Sequence, residues 1–153
     1  MHVNVNYPSR DAELSILRLA RKEAQKDEVQ PPVVITQEQL LLVRRAVLDL
    51  HLSEAVENYL VNLTCATRNA EHLDSELNQW IEFGVSPRAT ISLERCARAH
   101  AWLMGRDYVS PDDVQAVAHD VLRHRLILSF EAEANGITAD TVIDRVLSLV
   151  AVE

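Results

Sequence analysis

Ser9, Thr36, Ser53, Ser86, Ser110 and Thr138 each stand just ahead of a segment with helical patterning. A hydroxyl side chain at such a position accepts a hydrogen bond from an otherwise orphaned amide of the first turn. The chain holds only three glycines and five prolines, too little turn-forming material for an all-β fold. The expectation is an all-α helical bundle of about five or six helices, with a short N-terminal strand remnant and one long polar loop.

Residues 2–7, His2-Val3-Asn4-Val5-Asn6-Tyr7, alternate in the manner of a strand end. One strand has no ladder of its own, so it pairs with something outside this segment or lies loose. Pro8 ends it, and Ser9 opens a helix reaching about Gln25, with Leu14, Leu17, Ala20 and Ala24 as its apolar stripe and Arg18, Arg21 and Lys22 outward. Gln30-Pro31-Pro32 breaks that helix and Val33-Val34-Ile35 reads as extended. Thr36 and Gln39 form a capping-box pattern ahead of Leu40, Val43, Ala46 and Val47. Ser53 starts a third helix, with Val56, Tyr59, Leu60 and Leu63 on one side, that ends near Ala66-Thr67-Arg68-Asn69.

Glu71 to Phe83 is polar and irregular and reads as a long loop, with room for one helical turn, and Trp80, Ile81 and Phe83 as apolar anchors. The fourth helix runs from Ser86 to about Met104, where Gly105 suits a left-handed cap. Ser110-Pro111-Asp112-Asp113 starts a fifth, burying Val114, Val117, Ala118, Val121 and Leu122. Arg125–Phe130 reads equally as a helix tail or a short extended piece, and a last helix follows Thr138.

A formal net charge of −8 argues against nucleic-acid binding, since phosphate backbones favour basic surfaces. No apolar run reaches membrane-spanning length, and the first residues lack the cationic and apolar regions of a secretory signal. Cys65 and Cys96 fall within helical patterns without metal-ligand spacing, which suggests core thiols in a reducing cytoplasm. No phosphate-binding Gly-x-x-x-x-Gly-Lys-Ser/Thr loop is present, and no paired-acid magnesium site follows an apolar strand. Asp112 and Asp113 are explained by capping, while His119 and His124, five apart, fit one helix face poorly as metal ligands. A catalytic site belonging to this chain alone is not expected.

The candidate functional residues are therefore arginines. In Gly84-Val85-Ser86-Pro87-Arg88-Ala89 the glycine lets the backbone turn, Ser86 caps, and Pro87 takes the first helical position. Arg88 then projects a planar five-donor fork from a positively polarised helix end, a setting that suits a phosphate. The competing role is capping a carbonyl or pairing with a glutamate of its own helix. Arg68, Arg106, His124 and Arg125 sit at helix–loop junctions as candidate interface or secondary-sensor groups. Their structural alternatives are helix C-terminal carbonyls and, for Arg106, a salt bridge to Asp107, Asp112 or Asp113.

Several segments in order together resemble the C-terminal lid of MoxR-type AAA+ ATPases: Tyr7-Pro8-Ser9, Ala66-Thr67-Arg68, the Gly84–Ala89 segment, Gly105-Arg106-Asp107-Tyr108-Val109, Pro111-Asp112-Asp113-Val114 and Val121-Leu122-Arg123-His124-Arg125. The resemblance covers almost the whole chain and divides it into residues 1–7, the end of a strand from an ATPase core, and residues 8–153, the helical lid. The Glu71–Phe83 loop looks longer and more polar than the family's. The resemblance implies that Arg88 occupies the family's sensor-2 position and reaches ATP near its terminal phosphates. ATP and magnesium would be bound mainly by an ATPase core outside this sequence, as a fragment's missing part or on another polypeptide. The implied partners are that core, neighbouring subunits of a ring, and a client protein, for which a von Willebrand factor A domain protein is one candidate. A stand-alone acidic interaction module, using the strand at 2–7 and the Trp80 loop, is the alternative.

Overall fold

The structure, a computed structural model, describes residues 1–25 and 34–152. The expected Gln30-Pro31-Pro32 break and the extension at Val33 lie outside the described residues. Residues 1–3 and 44–153 form one compact unit and residues 4–43 another.

The smaller unit holds α1 (Arg10–Glu23) and the start of α2 (Gln37–Leu48). Ser9 Oγ accepts from the Ala12 amide, and Thr36 and Gln39 exchange hydrogen bonds of 2.8 and 3.2 Å, so both expected starts are present. Neither helix buries a residue, and Leu14, Ile16, Leu17 and Leu19 on α1 are exposed. The apolar stripe expected to pack α1 is thus uncovered among the described residues. The 2–7 segment forms no strand, the fate of a lone strand without a ladder.

The larger unit is a helical bundle around α3 (Glu54–Ala66), α5 (Pro87–Leu103), α6 (Pro111–Leu122) and α8 (Ala139–Leu149). Ala89, Leu93, Ala97 and Ala101 are wholly buried at four-residue spacing along α5. That ridge of mostly small side chains lets α6 approach closely through Val114, Val117, Ala118 and Val121. His51 and Tyr108 form a parallel bridge joining the α2–α3 and α5–α6 connections.

The stretch expected to be a long loop with room for one helical turn holds that turn and more. A 3₁₀ turn (Ala70–His72) leads to α4 (Ser75–Trp80), capped by Asp74, and then to β1 (Ile81–Phe83). Leu77 is its wholly buried anchor, with Trp80 and Ile81 half-buried beside it, whereas Phe83 is 61% exposed. Short polar helices carry too few apolar positions to show a period, which hid this one. The ambiguous 125–130 stretch combines both readings: a 3₁₀ turn at Arg123–Arg125, then β2 (Ile127–Leu128), antiparallel to β1. A short α7 (Phe130–Ala134), capped by Ser129, precedes α8. The six longer helices match the expected number, and α4 and α7 are additional.

Candidate functional site

The N-terminus of α5 and the end of α3 are built against each other. α3 stops at Ala66, with Thr67 as its C-terminal cap and the Arg68 amide bonded to the Cys65 carbonyl. Gly84 comes so close to this turn that an added Cβ would lie 2.3 Å from the Thr67 carbonyl oxygen and 2.8 Å from Arg68 Cγ. Gly84 is not in the left-handed region, unlike Gly105 at φ 74°, so close approach and not the turn demands a glycine here. The next amide, Val85 N, donates to Thr67 Oγ1 at 3.1 Å.

Ser86 has the extended backbone of a capping residue (φ −76°, ψ 164°), but its side chain makes no capping hydrogen bond. The expected serine cap is replaced by backbone geometry and by Pro87, which has no amide to satisfy. Arg88 is therefore held by its neighbours and not by its own side chain. It is exposed and enters none of the salt bridges among the described residues. Its carbonyl accepts from Ser92 Oγ at 2.9 Å.

The other candidate arginines are committed internally. Arg68 donates to Cys65 Sγ at 3.2 Å and lies beside Gly84, so the Ala66-Thr67-Arg68 and Gly84–Ala89 motifs meet. Arg125 donates to the Val121 carbonyl, the helix-end role considered for it, and reaches Ser92 Oγ at 3.4 Å. Through Ser92 it braces the turn that carries Arg88. His124 is exposed, touches Arg125 Nη1 through Nε2 at 2.6 Å, and meets His2 edge-on with ring centroids 5.6 Å apart. Partial desolvation and the neighbouring Arg125 charge push its pKa down from 6.5, favouring the neutral ring.

Arg106 follows the other end of α5, roughly 25 Å from Arg88 at 1.5 Å per residue. It makes the salt bridge foreseen for it, gripping Asp113 with both arms and reaching Ser110 Oγ at 3.1 Å. Asp113 is completely buried and also accepts from the Ser110 amide at 2.9 Å and meets His100 Nδ1 at 2.7 Å. Burial alone would raise its pKa, but the Arg106, Ser110 and His100 hydrogen bonds outweigh burial and hold it well below the ordinary carboxylate value. The sequence offers Asp113 as a helix-start charge and as one of three candidate partners of Arg106; the His100 contact and the burial that make it a hub have no signal there. Cys65 and Cys96 are free and only half-buried, and burial raises the Cys96 thiol pKa. Among the described residues no cluster of three His, Cys, Asp or Glu side chains could hold a metal, and no helix is long and apolar enough to cross a membrane.

Residues 74–146 match the AAA lid domain family, which makes the helical unit a domain of that class. The match begins at Asp74, so most of the Glu71–Phe83 stretch lies inside the family pattern. The chain is 37% identical over 151 residues to the chaperone MoxR1 of Mycobacterium tuberculosis, covering 97% of this chain and 39% of that protein. It is 33% identical over 150 residues to YeaC of Bacillus subtilis, covering 98% of this chain and 44% of the relative. A crystal structure of a proposed ATPase from Cytophaga hutchinsonii superposes with a TM-score of 0.90 at 34% identity, over 99% of this chain and 46% of that one. The chain therefore spans less than half the length of these relatives. It is a lid domain of the MoxR-type AAA+ family.

Proposed function

We propose that this chain is the nucleotide-responsive lid of a MoxR-type AAA+ ATPase, with Arg88 as its phosphate sensor. One observation carries the reading. Of the four candidate arginines, Arg68, Arg106 and Arg125 have internal partners, while Arg88 stands exposed at a braced helix start and, among the described residues, unpaired. A guanidinium so placed combines a full positive charge with the partial charge of the helix end. Both favour a terminal phosphate of ATP supplied by an ATPase core.

ATP and magnesium belong in this reading to that core, where the metal neutralises charge on the phosphates. Arg88 adds a donor that stabilises negative charge developing on the transferred group. When the phosphate leaves, the arginine loses its ligand, and a lid held partly by that contact shifts to its other position. That shift, within a ring of cytoplasmic subunits, would be passed to a client protein. Arg68 and Arg125 are supporting groups of the same corner, His124 lies at its edge, and Arg106 serves the far end of α5.

The interaction-module alternative loses one of its motives, because Trp80 packs against the hydrophobic core. The uncovered apolar side chains of α1 equally suit packing against an ATPase core. In the full-length protein, Arg88→Ala should lower ATP turnover at least tenfold, about 1.4 kcal/mol in barrier. Unchanged turnover refutes the sensor role.

A further inference from the structure

We propose that Thr67 is a positioning residue for Arg88, its hydroxyl fixing the angle at which α5 presents the guanidinium; this rests on the sensor reading above. Thr67 is 2% exposed and ends α3. Its hydroxyl donates to the Thr64 carbonyl at 2.8 Å, which spends its one proton and turns a lone pair outward. That lone pair accepts the amide of Val85, a fully buried residue three positions before Arg88. No helical carbonyl is offered to this amide, because α5 begins only at Pro87. An apolar side chain at position 67 would leave a buried amide unsatisfied, and the segment would swing to find another partner.

A second hydroxyl link stands on the other side of the arginine. Thr64 Oγ1, itself bonded back to the Val61 carbonyl at 3.0 Å, lies 2.9 Å from Thr90 Oγ1. Arg88 is thus bracketed by links at 85 and 90 that both originate on α3, and Gly84 lets the two backbones close to the distance these links need. The last turn of α3 and the first turn of α5 are one rigid corner. Thr67 touches no nucleotide in this arrangement; it acts through where Arg88 sits.

The test uses full-length Thr67→Val, Thr67→Ser, Arg88→Ala and the Thr67→Val/Arg88→Ala double variant, with steady-state ATP turnover and hydrogen exchange of peptides spanning residues 80–90. Valine keeps the shape and removes the acceptor, while serine keeps the hydroxyl. We expect Thr67→Val to lower kcat about fivefold with KM for ATP within twofold, and to speed exchange in the 80–90 peptides alone. Thr67→Ser should stay within twofold of wild type, and the double variant should turn over no more slowly than Arg88→Ala. Should Thr67→Val fail to fold, Thr67→Ala, which also removes the acceptor, replaces it with the same expectations. If Arg88→Ala is impaired while the valine variant is not, or if serine and valine lower turnover equally, the positioning role is overturned and the sensor role stands. An unimpaired Arg88→Ala overturns both.

Discussion

Replacing Gly84 with alanine should unlock the α3–α5 corner. The added methyl would sit 2.3 Å from the Thr67 carbonyl oxygen, 2.6 Å from its carbon and 2.8 Å from Arg68 Cγ, where ordinary contact begins at 3.4 Å. Two of those atoms are backbone, so rotation of a flexible side chain gives no relief. The segments must part by about 1 Å, stretching the 3.1 Å Val85–Thr67 hydrogen bond past bonding distance. Overpacking costs about 1–3 kcal/mol. A buried amide left without an acceptor costs a further 1–3 kcal/mol or so. A total near 3 kcal/mol should lower the melting temperature by roughly 10 °C in a domain of this size. Calorimetry or thermal circular dichroism reads that shift. A Gly84→Ala protein melting within about 2 °C of wild type, with exchange at Val85 unchanged, would refute the reasoning that close approach is what selects glycine here.

Asp113→Asn should destabilise the bundle by about 3 kcal/mol, because the substitution strips a half-buried Arg106 of its bidentate partner and His100 of its carboxylate; urea unfolding measures it, and a change under about 0.5 kcal/mol contradicts the hub. The acid response follows from the same carboxyl. Its folded pKa lies below the ordinary 3.8, so its stabilisation is fully present above that value and drains away as pH falls beneath it. Wild type should therefore lose more stability than Asp113→Asn between about pH 5 and pH 3, and parallel losses would show that the hydrogen bonds do not depress this group.

Much of the fold is legible in the residues because helix starts and stripes are local. Ser9, Thr36 with Gln39, Ser53 and Thr138 each begin a helix where the spacing places it, and Gly105 closes α5 with a positive φ. Elements of five or six residues, α4 and α7, hold too little pattern to register, and Asp74 and Ser129 are the only local hints of them. The site divides in the same way. The type and place of Arg88 are readable from the serine-proline corner, since chain direction alone sets them. What holds it is not readable, because the partners are distant in sequence: Thr67 to Val85 spans 18 residues and Arg125 to Ser92 spans 33. The Ser86 cap shows the limit of local rules, since here the tertiary link through Val85 fixes the helix start and the serine hydroxyl is left out. Asp113 carries the same lesson, as its burial depends on α5 lying against α6, which no single helix pattern contains.

The account turns on where one guanidinium ends when nucleotide is present. A structure of the full-length protein bound to a non-hydrolysable ATP analogue measures this directly. It should show Arg88 within about 3 Å of a terminal phosphate oxygen, with the Val85–Thr67 bond intact. An Arg88 side chain directed away from the nucleotide, separated from every phosphate by a lid in its closed position, would contradict it.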